Sequence, residues 1–297
     1  MPDMKKRNML LRDLIRERHH GVHGERILAL VLAGRVRVDG ELVRDPRRPV
    51  YAGCKLEVDL ADPLVSRGAG KLFPVLDRWR VETEGKVFLD AGSASGGFTQ
   101  ALLLRGARAV HAVDVGYNLL DYRMRRDTRV MVHERTNIMD VSRSDLDPPV
   151  QAAVADLSFR SLSGACSHIM DLLEEQWMIC LVKPQFEWRN PDRMFDGVIQ
   201  DEDVLREVLR ETASRLEREG CIVGRVTPSV LRGRKGNREF FFLVSRGTRR
   251  IGDAGPGVER MIDSAVADEG EADAERGRED RADRKDQKEL RDSGSRM

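Results

Sequence analysis

The sequence contains no apolar run close to the ~18 residues that a membrane-spanning helix needs. Its N-terminus is basic and lacks both the apolar core and the small-residue cleavage site of a secretory signal. Cysteine is scarce, since only four residues are scattered along the chain and none belongs to a Cys-x-x-Cys pair. These absences predict a cytoplasmic protein with buried, reduced thiols and without a metal site.

The charges that are present are distributed unevenly, although the net charge is only +1. Residues 1–60 contain 13 Lys and Arg against 9 Asp and Glu, whereas residues 247–297 contain 11 against 14. A basic N-terminal segment joined to a near-neutral central part indicates a polyanionic partner such as a nucleic acid.

The N-terminal part has the pattern of a small α+β domain over residues 1–60. Helical spacing in "LLRDLIRER" is followed by a predicted helix from Glu25 to Leu32. The segment "RVRVDGELV" predicts a hairpin with Asp39-Gly40 as its turn, and "PVYAGCKLEVDL" predicts one further strand. Residues 61–70 are predicted to be a linker.

From residue 71 to residue 246 the pattern changes to alternating strands and helices. Helices are predicted over Phe98–Arg105, Leu162–Leu173 and Asp201–Glu219. Seven strands are predicted, in "KVFLDAG", "AVHAVDVG", "RVMVHERTN", "AAVADLSF", "WMICLVKPQF", "CIVGRVTPSV" and "REFFFLVSR". This alternation predicts an α/β, Rossmann-like domain, with a mostly parallel seven-stranded sheet and helices on both faces.

Residues 247–297 carry mixed charge and almost no large apolar side chains. We expect this tail to be disordered or to form a solvated, marginal helix, and we assign it no function.

A glycine-rich turn follows the first strand of the α/β domain, in "FLDAGSASGGFTQALLLRG". The dinucleotide fingerprint G-x-G-x-x-G is not matched, because the second glycine falls in the wrong place. Asp90 would repel a pyrophosphate by about 4 kcal/mol per close charge pair, but it suits the ammonium group of S-adenosylmethionine. Asp114, at the tip of the next strand, can accept both ribose hydroxyls.

The turn is therefore predicted to bind S-adenosylmethionine, although a tight strand–helix turn without a ligand is the alternative. Asn137 and Ile138 lie in "ERTNI", at the position where the adenine of such a cofactor is usually covered. The candidate cofactor-binding residues are Asp90, Gly92, Ser93, Gly96, Gly97, Phe98, Asp114, Asn137 and Ile138.

Two lysines and two acids form a candidate catalytic set: Lys71, Asp156, Lys183 and Glu239. The fourth strand ends in "ADLSF", without the Pro-Pro segment typical of enzymes that methylate base amino groups, and the fifth presents Lys183 at its carboxyl end. Such a set suits methylation of an alcohol, because a lysine beside the sulfonium and a second lysine has its charged form disfavoured and can accept a proton. A surface lysine without a role is the alternative.

The chain resembles the TlyA family of hemolysin-like ribosomal RNA 2′-O-methyltransferases, whose catalytic domain is of the FtsJ/RrmJ type. The resemblance rests on "AGRVRVDGELV", "LVSRGAGKL", "LDAGSASGGFT", "AVDVGYNLL", "HERTNI", "LVKPQFE" and "GNREFFF". It implies methylation of cytidine 2′-hydroxyls with S-adenosylmethionine and an N-terminal RNA-binding domain of the ribosomal-protein-S-four type. The family's catalytic Lys–Asp–Lys–Glu set falls on Lys71, Asp156, Lys183 and Glu239. The segment "WRNPDRMFDGVIQ" departs from the glycine-rich sequence usual after "KPQFE".

Arginines of the N-terminal part and the linker are candidates for phosphate contacts, with a solvated charged surface as the alternative. They are Arg12, Arg16, Arg18, Arg35, Arg37, Arg44, Arg47, Arg48 and Arg67.

The sequence is compatible with three functions: an RNA 2′-O-methyltransferase acting on ribosomal subunits, a non-catalytic RNA-binding or ribosome-assembly protein, and a membrane-lysing hemolysin. The intact acids and lysines favour the first over the second. The third is disfavoured because no strongly amphipathic cationic helix is present.

Overall fold

The computed structural model of the chain describes residues 8–20, 22, 27–28, 30–31, 34–60, 64–158, 161–189, 195–233, 235–246 and 257–268. The described elements comprise a small N-terminal module, residues 8–60, and a larger part, residues 64–268. All four cysteines are buried and none forms a disulfide bond.

Among its described residues, the N-terminal module combines helix α1 and further helical residues with two small sheets. Its elements are β1 (Asn8–Leu10), α1 (Leu11–Arg18), β2 (Val36–Val38), β3 (Glu41–Leu42), β4 (Pro49–Tyr51) and β5 (Leu56–Val58). β1 pairs with β4, and a second sheet has the order β3-β2-β5. Aliphatic side chains from α1 and from both sheets form one buried cluster that includes Leu14, Ile15, Val36 and Val50. Residues 27–28 and 30–31 of the predicted helix Glu25–Leu32 are helical.

The predicted hairpin is present, but the strand predicted after it is wrong in one respect. Asp39 and Gly40 both have positive φ, +51° and +84°, as a two-residue hairpin turn between β2 and β3 requires. The segment "PVYAGCKLEVDL" forms two strands, β4 and β5, rather than one. The chain reverses at Cys54, whose N–H donates to Tyr51 O, so the two halves join different sheets.

The second part contains all seven predicted strands. They are β6 (Val87–Ala91), β7 (Ala109–Asp114), β8 (Val130–Glu134), β9 (Ala152–Ala155), β10 (Trp177–Val182), β11 (Cys221–Pro228) and β12 (Phe240–Arg246). The sheet order is β11-β12-β10-β9-β6-β7-β8. Strands β6 to β10 are parallel, while β12 runs antiparallel to both of its neighbours.

Helices cover both faces of this sheet. They are α2 (Arg67–Trp79), α3 (Gly97–Leu104), α4 (Tyr122–Arg126), α5 (Ala165–Leu172), α6 (Pro184–Glu187), α7 (Glu202–Arg218) and α8 (Val258–Ala267). Because side chains alternate along each strand, the sheet buries two separate cores: Phe240 and Phe242 face one, and Phe241 faces the other. The α/β architecture is therefore confirmed.

Helix α2 begins inside the segment that was predicted to be a linker. Ser66 caps it, since its Oγ accepts a hydrogen bond from Gly68 N–H at 3.3 Å. The face of α2 that includes Leu72, Phe73 and Leu76 is buried in the core shared with α3. Residues 67–70 are therefore part of the catalytic domain's framework.

The prediction that the tail is disordered or forms a solvated, marginal helix is wrong for Val258–Ala267, because helix α8 buries one of its faces. Ile262 and Val266 are fully buried in the domain core, where α8 packs against strand β11 and helix α7. Arg210 Nη2 lies 2.5 Å from Asp263 Oδ1, and Arg238 donates to carbonyl oxygens at the end of α8, including Val266 O at 2.7 Å. The rest of the predicted tail lies outside the described residues.

Candidate active site

Charged side chains from three neighbouring strands meet at the carboxyl edge of the large sheet. Asp156 follows β9, and Lys183 follows β10, its parallel neighbour. The first residue of β12 pairs with the last residue of β10, so Glu239 enters the sheet beside Lys183. The carboxyl ends of parallel strands are the usual ligand-binding edge of such a sheet.

These residues and Lys71 form two ion pairs. Lys183 Nζ lies 2.5 Å from Asp156 Oδ1 and donates to Ser158 Oγ at 2.8 Å. Lys71, from α2, donates to Glu239 Oε2 at 2.6 Å. The Lys71 and Glu239 side chains are only 13% and 4% exposed. The structure thus brings all four candidate catalytic residues to one edge as two salt bridges.

The glycine turn adjoins this edge. Gly92 has a φ of +85°, and a Cβ at this position would lie 2.6 Å from Asp156 O. The absence of a side chain therefore lets the turn touch the backbone that carries the acid. The N–H groups of Gly92 and Ser93 donate to Val113 O at 2.8 and 3.1 Å, and Gly96, with a φ of +89°, precedes α3.

Close helix packing connects the glycine turn to Lys71. Gly97, the first residue of α3, lies against the start of α2, and a Cβ on it would lie 2.8 Å from the backbone nitrogen of Ala69. Ser66 is also in contact at this point. Because Lys71 is two residues after Ala69, this contact fixes the distance between the lysine and the turn.

Asp90 is completely buried beneath the turn. Its Oδ2 accepts hydrogen bonds from Thr99 N–H at 2.9 Å and Thr99 Oγ1–H at 2.6 Å, while its Oδ1 is buried without a hydrogen-bond partner among the described residues. Burial raises the pKa of Asp90 to about 7, against the lowering effect of Thr99 and with a smaller raising effect from the Asp156 charge.

Asp114 holds the turn as well as lying at the tip of β7. Its Oδ2 accepts from Ala94 N–H at 2.8 Å, and its Oδ1 accepts from Gly116 N–H at 2.7 Å. The loop after β8 is attached here too, since Thr136 N–H donates to Asp114 O at 3.0 Å. Each carboxylate oxygen retains capacity to accept a further hydrogen bond.

The remaining candidate cofactor residues are placed differently from one another. Asn137 is exposed and caps a single-turn helix, accepting from Met139 N–H at 3.1 Å, whereas Ile138 is buried in the core. Phe98 is also a core residue, with its ring centroid 6.0 Å from that of Phe241. The Phe98 ring therefore packs into the core, and its role in cofactor binding stays a prediction.

The candidate RNA-binding arginines lie in the N-terminal module and at the start of α2, and most have partners within the protein. Arg48 forms a bidentate pair with Glu41, at 2.7 and 2.8 Å. Other partners are Asp13 for Arg12 and Arg16, the carbonyl oxygens of Ala52 and Cys54 for Arg18, Asp59 for Arg35, Gly40 O for Arg37, and Arg232 O for Arg67. The guanidinium of Arg44 lies over Gly34, and Arg47 N–H donates to Asp45. Their contact with RNA stays a prediction.

One group at the site was missed from the sequence. Glu187, the last residue of α6, is buried and accepts from Arg215 of α7 at 2.8 Å, from Ser161 Oγ–H at 2.7 Å and from Leu162 N–H at 2.8 Å. The Glu187–Arg215 pair therefore joins α7, the segment after Asp156 and the turn that carries Lys183. The glutamate was visible in "KPQFE", but its partner is far away in sequence and no spacing rule indicates it.

Among the described residues, no helix is both long and apolar enough to cross a membrane.

Comparisons with known proteins agree on one family. A sequence model of the FtsJ-like methyltransferases matches residues 64–246. The chain is 36% identical over 242 residues to the 16S/23S rRNA (cytidine-2′-O)-methyltransferase TlyA of Mycobacterium tuberculosis, covering 80% of this chain and 90% of the relative. It is 34% identical over 214 residues to Hemolysin A of Brachyspira hyodysenteriae, covering 71% of this chain and 89% of that one.

A solved structure extends the likeness to the N-terminal module. A protein from Streptococcus thermophilus described as a hemolysin superposes with a TM-score of 0.66 at 26% identity, covering 92% of this chain and 98% of its own. The family match spans residues 64–246, and the two relatives cover 80% and 71% of this chain. The chain therefore belongs to the TlyA family of FtsJ-like methyltransferases.

Proposed function

We propose that this methyltransferase transfers a methyl group from S-adenosylmethionine to a ribose 2′-hydroxyl, that of a cytidine, in ribosomal RNA. The observation that carries the proposal is the pair of salt bridges, Lys183–Asp156 and Lys71–Glu239, at the edge beside the glycine turn. The relative from Mycobacterium tuberculosis is named for cytidine 2′-O-methylation of 16S and 23S rRNA, which supports the choice of substrate.

The residues around the turn fit S-adenosylmethionine. Asp90 Oδ1 is a buried acceptor without a partner among the described residues, and it suits an ammonium group. Gly92 lets the turn lie directly against the backbone of Asp156, where a Cβ would come within 2.6 Å of the carbonyl oxygen. Asp114, which retains acceptor capacity at the tip of β7, suits the ribose, and Asn137 lies on the loop that Thr136 ties to Asp114. When bound, the cofactor supplies an electrophilic methyl group.

Lys183 is proposed to accept the proton of the 2′-hydroxyl. If the Nζ proton passes to Asp156, the ion pair becomes a neutral amine and a carboxylic acid without any change in net charge. The amine can then take the hydroxyl proton as the oxygen forms its bond to carbon. Lys71 of α2 and Glu239 directly before β12, whose side chains are 2.6 Å apart, are proposed to position the hydroxyl.

The N-terminal module is proposed to bind the RNA. Eight of the candidate arginines lie in it, and the pairs they form are largely on the surface, where they exchange readily with phosphate contacts.

The test of this function is methyl transfer from tritium-labelled S-adenosylmethionine to ribosomal subunits, with 2′-O-methyl sites mapped in the product. Lys183→Ala and Lys183→Arg are both expected to lower the rate by about 10²-fold or more, because arginine keeps the charge but does not act as a base. Cofactor affinity, measured by calorimetry, is expected to stay within a few-fold. The control is Lys86→Ala at the opposite edge of the sheet, where the lysine pairs with Glu175.

Near-full turnover by the Lys183→Arg variant would remove the base assignment. Absence of any methyl transfer to ribosomal RNA by the wild-type protein, with cofactor binding intact, would instead favour the non-catalytic RNA-binding function.

A further inference from the structure

The most exposed large apolar side chains of the described chain lie together beside the glycine turn. Val115, Tyr117, Leu119 and Tyr122 are 70%, 63%, 51% and 68% exposed, while the other exposed large apolar residues range from 39% to 42%. Two of the three tyrosines of the sequence are in this group. Exposed apolar groups that cluster in this way mark interaction surfaces.

Two arginines stack on these tyrosines. The Arg135 guanidinium lies 4.0 Å from the centroid of the Tyr117 ring. The Arg126 guanidinium lies 5.4 Å from the Tyr122 ring centroid, and its Nη1 donates to Tyr122 Oη at 2.8 Å. We call Tyr117, Leu119, Tyr122, Arg126 and Arg135 the tyrosine–arginine face.

The charges around the face leave these two arginines uncompensated. Residues 115–135 contain five arginines and three acids. Each acid pairs with one of the other arginines: Asp121 with Arg123, Asp127 with Arg129 and Glu134 with Arg125, at 3.0, 2.7 and 2.6 Å. Within the described part of the chain, neither of the stacked arginines has a carboxylate within 4 Å. The two positive charges without a carboxylate partner therefore belong to the guanidinium groups that lie over the tyrosine rings.

The face is anchored to the turn that we propose binds the cofactor. The segment that carries it starts directly after Asp114, and Asp121 N–H donates to Ser95 O at 3.2 Å. Glu134 ties parts of this segment together, since it accepts from Leu119 N–H at 3.2 Å and from Arg125 at 2.6 Å, and it directly precedes Arg135. A ligand on the face would therefore lie next to the methyl donor.

We propose that the tyrosine–arginine face binds single-stranded RNA next to the acceptor nucleotide, with unpaired bases stacked on Tyr117 and Tyr122 and phosphates on Arg126 and Arg135. Aromatic rings combined with unpaired cations are the chemistry by which proteins hold single strands without reading their sequence. This inference rests on the proposed function, since it assigns a second RNA contact to the same enzyme, on the catalytic domain rather than on the N-terminal module.

The test uses the full chain and a short oligocytidylate that contains 2-aminopurine. Tyr117→Ala/Tyr122→Ala is expected to weaken binding about tenfold and to abolish the fluorescence change of the 2-aminopurine, whereas Tyr117→Phe/Tyr122→Phe keeps both, because phenylalanine still stacks. Arg126→Ala/Arg135→Ala is expected to lower the slope of log affinity against log salt by about two. Arg129→Ala, which removes a charge paired to Asp127 from the same segment, is the matched control and is expected to change less.

Wild-type affinity and an unchanged fluorescence response in the double alanine variant would overturn the proposal. So would an altered self-association of that variant in sedimentation at unchanged RNA affinity, because the face would then be an interface between copies of the chain. If the proposed function fails, wild-type methyl transfer to ribosomal RNA is absent while the difference between the alanine and phenylalanine variants persists. If only the face proposal fails, methyl transfer persists and that difference vanishes.

Discussion

At the catalytic edge, Lys71 and Glu239 are 168 residues apart in sequence and their side chains are 13% and 4% exposed. In the N-terminal module, Arg48 and Glu41 are seven residues apart and 40% and 63% exposed. The first pair requires the whole domain to fold, and it holds its atoms in one geometry. The second pair forms locally in water, where an ion pair contributes little and its members can change partner. The buried pair of the catalytic domain therefore depends on its exact geometry. In the N-terminal module we expect the total charge of the exposed side chains to matter more than any single pair.

The largest effect is expected from breaking the buried pair behind the site. Glu187→Ala removes the buried carboxylate partner of Arg215 and leaves it, among the described residues, only the more distant and exposed Glu211; it is expected to cost about 3–5 kcal/mol of the free energy of unfolding. The matched control is Glu211→Ala, because Glu211 is the other partner of Arg215, at 3.6 Å, but is 53% exposed. It is expected to cost below about 1 kcal/mol. Urea unfolding of the two variants measures the loss of unfolding free energy in each. Equal losses would contradict the claim that the buried pair contributes more to stability than the exposed one.

A second variant separates geometry from charge at the edge itself. Glu239→Gln keeps the shape of the side chain but removes the partner of Lys71, and we expect methyl transfer to fall about 100-fold with little dependence on salt. Glu175→Gln, on the exposed pair at the opposite edge, is the control. A loss that disappears at high salt would show that Glu239 acts only through long-range charge.

A third measurement uses the pH dependence of Asp90. Burial raises the pKa of Asp90 to about 7 in the folded protein, above its usual value of 3.8, so the folded state favours the protonated acid. The resulting stabilisation is complete below about pH 4 and is lost as the pH rises to about 7, by up to about 1.4 kcal/mol per pH unit. The Asp90→Asn variant lacks this loss.

We therefore expect the melting temperature of Asp90→Asn, relative to that of the wild-type protein, to increase between pH 5 and pH 8. Because an ammonium group favours the ionised carboxylate, the affinity of the wild-type protein for S-adenosylmethionine should also rise over this range. A difference in melting temperature that is constant with pH would exclude the raised pKa.

The smallest effect is expected in the N-terminal module. Arg37 is exposed, and its guanidinium donates only to Gly40 O, at 3.0 Å, among the contacts described. Arg37→Glu is expected to weaken binding to ribosomal RNA by about three- to tenfold and to lower the salt slope by about one. Arg218→Glu makes the same change of charge on the exposed end of α7. Equal effects of the two variants would indicate that the module has no special role in binding.

The sequence predicted the elements whose patterns are local. Each of the seven strands is an apolar run of a few residues, and the Asp39-Gly40 turn has the positive φ values that its composition indicates. Asp156, Lys183 and Glu239 could be assigned to one edge because they adjoin strands of one sheet. The proximity of Lys71 to them could not, since it depends on contact between α2 and α3.

The failures have equally specific causes. The burial of helix α8 was not predicted because Ile262, Ala265 and Val266 are few among many charged residues, and only packing against β11 reveals their common face. The β4–β5 reversal lacks an Asn-Gly or Asp-Gly pair, so the segment was predicted as one strand.

The contact at Gly97 has a consequence for how the enzyme could be altered. No methyl group fits between α3 and the backbone of Ala69, so the two helices lie as close as their main chains allow. The methyl group of an alanine at this position would push α2 outward and move Lys71 away from the glycine turn. The proposed distance between the methyl donor and the ribose hydroxyl therefore depends on Gly97, a residue without a functional group, and a single substitution there would change it.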